Sequence, residues 1–320
     1  MNDKISVILT TYNGEKYIVS QLDSLREQTV LPNEVVICDD CSSDKTITII
    51  KEYIKKYNLF NWHLYVNVKN LGWVRNFYRG VNLAIGDLIF FCDQDDVWDK
   101  DKLRNMILIF NDKKINVLSC KCQYIDANGK KISVSYSELP FSKKGNLKLI
   151  KHNFSDKFTY SIYPGCTMAV RKEFWDAIMY RNKVSKQQYL PHDAVAWKMG
   201  VLTDSAYELN EELIKYRLHD KNASKPQDSI NRNFKKRSTR VKEIEYVLSQ
   251  LESIKELYSK TKFVNVDILY ELDGIIYFHK LRKKYLEDET TIIALLTRIK
   301  YYRDIKMFLG DVLAKKRKEK

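Results

Sequence analysis

The sequence FFCDQDDVWDKDKL at residues 90–103 places Asp93, Asp95 and Asp96 directly after an apolar run. Carboxylates this close repel one another, and each raises the pKa of its neighbours. Mg²⁺ and Mn²⁺ prefer oxygen ligands, and they commonly join one or two carboxylates to the phosphates of a substrate. The cluster therefore predicts a site for a hard divalent cation and a diphosphate. The alternative is a solvated acidic turn in which Asp96 or Asp99 caps the next helix.

The residues before this cluster alternate between two patterns. Short apolar runs predict strands at 4–10, 34–38, 62–66 and 87–92, and helical spacing predicts helices at about 15–28, 45–57 and 73–84. This alternation predicts an α/β fold with a mainly parallel, doubly wound sheet and right-handed crossovers. In such sheets ligands bind beyond the carboxyl ends of the strands. The polar residues at those predicted ends are Tyr12, Asp39, Asp40, Asp93, Asp95 and Asp96.

The rest of the chain follows a less regular pattern. We predict a strand at 117–125, a mobile polar loop region at 130–160, a helix at about 171–180 and a strand or strand pair at 209–218. Pro191 opens a further predicted helix, and Asp193 lies near its positive end. Beyond residue 225 the pattern is almost wholly helical, which predicts two units, 1–225 and 226–320.

The composition restricts the class of protein. The 320 residues have a formal charge of +14, and residues 231–320 hold 22 Lys and Arg against 13 Asp and Glu, so the excess is concentrated in the last part of the chain. We expect neither a signal peptide nor a membrane-spanning helix. No nucleic-acid-binding motif accompanies the basic residues. The six scattered cysteines indicate reduced thiols of a cytoplasmic protein, and a zinc site of Cys38, Cys41, Cys120 and Cys122 is a weak alternative.

Several motifs together resemble those of glycosyltransferase family 2, whose members have the GT-A fold. They are ISVILTTYNGEKYIVSQLDSLREQT, VVICDDCSSDKT, NLGWVRNF, FCDQDDVWDKDKL, YPGCTMAVRKEF, HDAVAW and YRLHDKNAS, in that order over about residues 4–224. The DQDDVW form with a late YR-x-H is most similar to the bacterial rhamnosyltransferase-like branch, which builds cell-surface polysaccharides.

The resemblance implies an inverting enzyme that uses Mn²⁺ or Mg²⁺. Such an enzyme moves a sugar from a nucleotide diphosphate sugar to a hydroxyl of a growing polysaccharide or a polyprenyl-linked oligosaccharide. A base that can take the acceptor's proton is needed, and Asp193 falls at that position in the family. The family often has Glu-Asp there, whereas this chain has His192 before Asp193. The alternative for Asp193 is a capping acid.

The resemblance also assigns residues to the donor and the metal. Tyr12 would stack on the base and Asp39 would accept its imide N–H, which favours UDP or dTDP, including dTDP-rhamnose, whereas Asp40 would orient the turn. The implied donor-binding residues are Thr10, Tyr12, Asp39, Arg75, Asp93, Asp95, Arg217 and His219, and the implied metal ligands are Asp95, Asp96 and His219. For Tyr12, Arg75 and His219 the alternatives are a turn tyrosine, an exposed helix arginine and a structural histidine.

The end of the chain combines apolar periodicity with positive charge. In residues 291–313, one helical face would carry Ile292, Leu295, Leu296, Ile299, Tyr302, Leu309, Val312 and Leu313, and KKRK follows at 315–318. An amphipathic helix of this kind can lie on an anionic bilayer, which would place the protein at the inner face of the cell membrane. The equal alternative is helical packing on the catalytic body or in a homodimer. The competing function class is a non-enzymatic binder of membranes or polyanions.

Overall fold

The computed structural model describes residues 3–133, 148–179, 190–220, 222 and 235–316. The strands are β1 (Ile5–Thr11), β2 (Glu34–Asp39), β3 (Trp62–Val66), β4 (Leu88–Asp93), β5 (Val97–Trp98), β6 (Val117–Ile125), β7 (Leu149–His152), β8 (Met168–Arg171) and β9 (Ala206–Arg217). The helices are α1 (Ile18–Arg26), α2 (Thr46–Lys56), α3 (Trp73–Leu83), α4 (Lys102–Ile109), α5 (Lys172–Met179), α6 (His192–Leu202), α7 (Arg237–Ser259), α8 (Val266–Leu286), α9 (Ile292–Leu296) and α10 (Ile305–Lys316).

A single mixed sheet forms the centre of the molecule, in the order β3-β2-β1-β4-β8-β6-β9-β5, with β7 paired to β9. The first four strands, β1 to β4, pair in parallel as the alternating pattern predicts. The other half is mixed, because β8 runs antiparallel to both β4 and β6 while β9 is parallel to β6. The predicted α/β class is therefore confirmed.

Two hydrophobic cores cover the two faces of this sheet. One contains apolar residues of α1, α2 and α4, and the other contains those of α3, α5 and α6. The second core continues without a break into α7, α8 and the segments after them. The C-terminal helices pack on the catalytic body, which is one of the two alternatives that the sequence leaves equal, whereas the predicted boundary after residue 225 lies outside the described residues.

The predicted loop region is only partly irregular. The region 130–160 contains β7 and a 3₁₀ turn, Phe158–Tyr160, although 134–147 lie outside the described residues. Four residues carry too little periodicity to reveal a strand, and β7 is fixed by its pairing with β9. The weak zinc alternative also fails, because β2 and β6 are separated by three strands of the sheet and Cys41 is exposed. All six thiols are free, as predicted.

The prediction of one helix across 291–313 is also wrong. The chain forms α9, a 3₁₀ turn at Ile299–Tyr301, and α10, because it bends to bury Leu295, Tyr302 and Phe308 against the C-terminal helical layer. The predicted apolar face is thereby divided. Its exposed members, Ile292, Leu296, Ile299, Leu309 and Leu313, keep between 37% and 49% of their surface accessible. No helix in the described part of the chain is long and apolar enough to cross a bilayer.

A buried ion-pair network fastens α10 to α7 and α8. Asp311 is fully buried and accepts hydrogen bonds from Arg240 Nη1 at 2.9 Å and Arg282 Nε at 2.8 Å. The hydroxyl of Tyr302 donates a further bond of 2.9 Å to the same carboxylate. Two buried guanidinium groups thus pair with one buried carboxylate, which makes Asp311 more important to folding than a surface acid.

We predict that Asp311→Asn lowers the free energy of unfolding by about 3–5 kcal/mol, because it removes the buried carboxylate that pairs with two buried guanidinium groups. Urea unfolding followed by circular dichroism measures this change. The matched control is Asp273→Asn, whose carboxylate pairs with Lys255 at the surface and should contribute only about 0–1 kcal/mol. Equal losses in the two variants would contradict this assignment to Asp311.

Candidate active site

The parallel pairing of β1, β2 and β4 brings their polar ends to one edge of the sheet. In this register Thr10 lies opposite Asp93, and Thr11 lies opposite Asp39. A cavity of about 330 Å³ opens at this edge. Its lining consists of Thr10, Thr11, Tyr12, Asp40, Asn70, Gly72, Trp73, Asn76, Asp93, Gln94, Asp95, Tyr216 and Asn222.

Tyr12 is held at the rim of this cavity by Gln94. The backbone N–H of Tyr12 donates to Gln94 Oε1 at 2.8 Å, and Gln94 Nε2 donates back to the Tyr12 carbonyl at 3.0 Å. Gly14 makes this contact possible, since a Cβ there would lie 2.2 Å from Gln94 Oε1. The Tyr12 side chain remains 48% exposed, so its ring is accessible for stacking on a planar group.

Asp39 lies completely buried beneath this edge. Its Oδ2 accepts hydrogen bonds from the hydroxyls of Thr11 at 2.7 Å and Ser42 at 2.6 Å, and its Oδ1 accepts one from the Ser42 backbone N–H at 2.8 Å. A carboxylate has about four acceptor positions. The described residues therefore leave Oδ1 able to accept one more donor.

Asp40 orients the loop that forms one wall of the cavity. Its Oδ1 accepts from Asn67 Nδ2 and from the Leu71 backbone N–H, both at 2.7 Å, and its Oδ2 accepts from the Gly72 N–H at 2.9 Å. Gly72 has φ of +83°, a conformation that glycine adopts without strain. Trp73 follows this turn at the start of α3 and lines the cavity. This geometry agrees with the expected turn-orienting role of Asp40.

The acidic cluster at the end of β4 is divided between surface and interior. Asp93 and Asp95 line the cavity, whereas Asp96 is only 1% exposed. Burial and the neighbouring charge of Asp95 raise the pKa of Asp93 to about 7 and raise that of Asp96 well above its usual value. The potential ligand atoms of Asp93, Asp96 and Cys166 lie within 4.8 Å of one another.

Cys166 belongs to this cluster as a protonated thiol. Burial, followed by the charges of Asp96 and Asp93, raises its pKa well above the usual value. A protonated thiol donates a weak hydrogen bond and is a poor ligand for a hard cation. Cys166 therefore fits a role as a hydrogen-bond donor between the two carboxylates.

A buried lysine lies behind the same cluster and was not found by sequence reasoning. Lys102 is completely buried, with Nζ donating to the Cys166 carbonyl at 2.6 Å and lying 3.6 Å from the centre of the Trp98 ring. Its positive charge lowers the pKa of Asp93, opposing the effect of burial. The available signal was its spacing of four from Met106, which places both on the buried face of α4.

The end of β9 closes the cluster from the other side. Arg217 is buried, and its Nε donates to the Asp95 carbonyl at 2.8 Å while its backbone N–H donates to Asp96 Oδ1 at 3.0 Å. His219 Nε2 lies 2.7 Å from Asp95 Oδ2. The rings of His219 and Tyr17 lie 4.9 Å apart. The Arg217 side chain thus holds the backbone of the acidic loop, and His219 contacts the side-chain carboxylate of Asp95 directly.

Asp193 is presented by the first turn of α6. The preceding His192 is 2% exposed and stacks on Phe77 with 3.8 Å between ring centres. Burial lowers the pKa of His192 to about 3, so its ring is neutral, and neither ring nitrogen has a hydrogen-bond partner among the described residues. Burial raises the pKa of Asp193 to about 6. A Cβ at Gly165 would lie 2.4 Å from His192 Nε2, so only glycine permits this approach of α6.

The structure brings most of the predicted site residues to this one region. Of the donor-binding residues, Thr10, Tyr12, Asp93 and Asp95 line the cavity, whereas Asp39 lies beneath it and Arg75 is exposed on α3. Arg217 and His219 contact Asp95 at its edge. The negative charge of Asp193 raises the pKa of Asp93, so Asp193 lies within electrostatic reach of the cluster. The residues that sequence reasoning missed are Gln94, Lys102, Gly165 and Cys166.

Comparison with known proteins identifies the class of this site. The sequence model described as Glycosyl transferase family 2 matches residues 6–178, which is more than half of the chain. The chain belongs to glycosyl transferase family 2. The family assignment confirms the resemblance carried by the strand-end motifs, and it favours the enzyme over the non-enzymatic binder.

Individual members of the family resemble this transferase over different lengths. It is 27% identical over 307 residues to the dTDP-rhamnosyl transferase RfbG of Shigella flexneri, covering 91% of this chain and 100% of RfbG. It is 36% identical over 128 residues to the poly(ribitol-phosphate) β-N-acetylglucosaminyltransferase TarS of Staphylococcus aureus, covering 39% of this chain and 22% of TarS.

Solved structures of other transferases confirm the GT-A fold. A structure of S. aureus TarS in complex with UDP-GlcNAc superimposes with a TM-score of 0.59 and 21% identity over 88% of this chain and 72% of that one. The mannosyltransferase PcManGT of Pyrobaculum calidifontis, in complex with GDP-Man and Mn²⁺, gives a TM-score of 0.56 and 13% identity over 98% of this chain and 86% of that one. The family transferase thus combines this fold with an acidic strand-end cavity.

Proposed function

We propose that this transferase is an inverting enzyme that moves a sugar from a UDP- or dTDP-linked donor to a hydroxyl of a cell-surface polysaccharide or a polyprenyl-linked oligosaccharide. The observation that carries this proposal is the position of Asp193, a carboxylate with a pKa of about 6 that lies within electrostatic reach of the acidic cluster. The whole-length similarity to a dTDP-rhamnosyl transferase supports dTDP-rhamnose as the first donor to test.

The donor's base fits the rim of the cavity. The exposed ring of Tyr12 offers an aromatic face for stacking. Asp39 is completely buried beneath this rim, so the imide N–H of uracil or thymine would reach its Oδ1 only when the turn at Ser42 moves. Arg75 on α3 would attract the negatively charged nucleotide from its exposed position.

The acidic cluster fits a divalent cation. Buried Asp96 Oδ2 has no hydrogen-bond partner among the described residues, and the positive charge of buried Lys102 acts on Asp93, whose pKa it lowers. We assign Asp95 and His219 as ligands at the cavity edge, with Asp96 beneath them as a further ligand. When bound, Mn²⁺ or Mg²⁺ would neutralise the diphosphate of the donor and of the leaving nucleotide.

Asp193 would take the proton of the acceptor hydroxyl as that oxygen attacks the sugar. Its function requires the ionised form, and a pKa near 6 leaves it ionised at neutral pH while keeping it more basic than an exposed aspartate. His192 cannot share this role, because burial lowers its pKa to about 3, which makes its ring a weak proton acceptor, and the ring packs against Phe77 and Phe91. We propose instead that His192 positions Asp193 by its packing against Phe77 and Phe91.

We predict that Asp193→Asn lowers kcat by roughly 10² or more, the lower end expected for a general base, with donor affinity unchanged. The wild-type rate should fall tenfold per pH unit below about pH 6, where Asp193 becomes protonated, and this acid limb should disappear in the variant. Steady-state kinetics across pH and donor titration measure both. Asp176→Asn, at an exposed acid of α5, is the control. A parallel loss of donor binding would show that Asp193 binds the donor.

The donor and metal assignments are tested together by screening UDP- and dTDP-sugars for binding and turnover with and without Mn²⁺. We predict that Asp95→Asn abolishes the metal-dependent increase in donor affinity and lowers turnover at least 100-fold while the far-UV spectrum is retained, because a neutral amide binds a hard cation more weakly than a carboxylate. Asp99→Asn, an exposed acid after β5, is the control. Metal-dependent activity near the wild-type level in Asp95→Asn would refute the assignment.

We also propose that the exposed apolar residues of the C-terminal segment contact an anionic membrane at its cytoplasmic face. Ile293 and Ile305 are 68% and 60% exposed, and Lys315 and Lys316 end α10.

Ile293→Ser with Ile305→Ser should reduce sedimentation with anionic liposomes without unfolding the protein, because less apolar surface enters the bilayer. The control is Ile85→Ser, at a residue 76% exposed on the catalytic body. Deleting the segment is unsuitable because it removes Asp311. Equal sedimentation of both variants would argue against this surface.

A further inference from the structure

The cavity at the edge of the sheet carries an aromatic ring to which the proposed function gives no role. Among the described residues that line this cavity, Tyr12 and Trp73 have the most exposed aromatic side chains, at 48% and 45%. Tyr12 is assigned to the base of the nucleotide, whereas Trp73 has no assigned partner. Aromatic side chains in a binding cavity meet the apolar parts of a ligand. Trp73 therefore indicates a second apolar contact with the substrate, beyond the base.

The backbone that presents Trp73 is held by several hydrogen bonds. Asp40 accepts from the N–H of Leu71 at 2.7 Å and from the N–H of Gly72 at 2.9 Å. The N–H of Asn76 donates to the Gly72 carbonyl at 3.1 Å, and α3 begins at Trp73. A side chain on a fixed backbone loses less conformational entropy when a ligand packs on it. Trp73 therefore offers its ring from a fixed point of the cavity wall.

The ring of Trp73 also contacts the segment that carries the proposed base. Trp73 and Phe77 are four positions apart, which places them on the same face of α3. Phe77 stacks on His192 with 3.8 Å between ring centres, and Trp73 meets the same imidazole edge-on at 6.0 Å. His192 immediately precedes Asp193 in the first turn of α6. Trp73 therefore lies on the side of the cavity that adjoins the proposed base.

The acidic residues of the same cavity restrict where the reacting sugar can lie. Asp93 and Asp95 line the cavity together with Trp73, and the proposed function places the cation and the donor diphosphate at these acids. In an inverting displacement, the acceptor oxygen attacks the sugar carbon on the face opposite the departing diphosphate. The sugar must then lie between the acidic cluster and Asp193. Trp73 shares the cavity of the acids and contacts the residue before the base, so its ring borders this space.

We propose that Trp73 recognises the transferred sugar by stacking its ring on the apolar C–H face of the pyranose. An indole offers a wide and rigid apolar surface, and its contact with C–H groups needs no charge on the ligand. The methyl group of a 6-deoxy sugar such as rhamnose would enlarge this contact. The inference rests on the proposed transferase function, because it names the residue of the same cavity that recognises the donor beyond its nucleotide.

The test compares the dissociation constants of a nucleoside diphosphate and of the matching nucleotide sugar, measured by calorimetry in the presence of Mn²⁺. The pairs are dTDP with dTDP-rhamnose and UDP with UDP-GlcNAc, and the pair whose sugar nucleotide binds more tightly is used. We expect Trp73→Ala to weaken binding of the nucleotide sugar about 5-fold or more, and binding of the nucleoside diphosphate less than about 2-fold. Trp73→Phe should lose less affinity for the nucleotide sugar, because a phenyl ring keeps an aromatic face.

Two control variants accompany this comparison. Phe60→Ala removes an aromatic ring that is 88% exposed and does not line the cavity, so it should leave both dissociation constants unchanged. Tyr12→Ala should weaken the nucleoside diphosphate and the nucleotide sugar alike, because Tyr12 is assigned to the base. The two aromatic residues of one cavity are thereby assigned to different parts of the donor.

The pattern of losses decides the inference. A loss confined to the nucleotide sugar in Trp73→Ala supports it. Equal losses for both ligands would assign Trp73 to the nucleoside, and unchanged affinities would remove it from binding, so either result overturns the inference. If Trp73→Ala does not fold by far-UV circular dichroism, the same comparison in Trp73→Phe decides. A wild-type protein that binds neither nucleotide sugar would instead refute the proposed function itself, and the inference with it.

Discussion

Mutual repulsion among Asp93, Asp95 and Asp96 is the constraint on which the active edge depends. Burial adds to this repulsion, and the two effects raise the pKa of Asp93 and Asp96. The surrounding protein opposes them with the buried Lys102 and with the backbone N–H of Arg217. These contributions keep the loop folded, and the negative charge that they leave unbalanced is the basis of the proposed cation site.

Packing around the neutral ring of His192 determines where the proposed base lies relative to the acidic cluster. The neutral ring of His192 wedges between aromatic side chains and holds the start of α6 against Gly165, which places Asp193 within electrostatic reach of the acidic cluster. Packing therefore fixes the proposed base in a position where burial raises its pKa.

The sequence by itself determined the parallel half of the sheet and the polar residues at its strand ends, because local periodicity and strand polarity carry that information. Only the tertiary structure decided which side chains lie beneath the surface. Lys102 and Cys166 are separated by 64 positions, and their contact depends on sheet order, which no local pattern reveals. The division of 291–313 into three segments has the same cause, because burial of Leu295 and Tyr302 against neighbouring helices outweighs the continuous helical spacing.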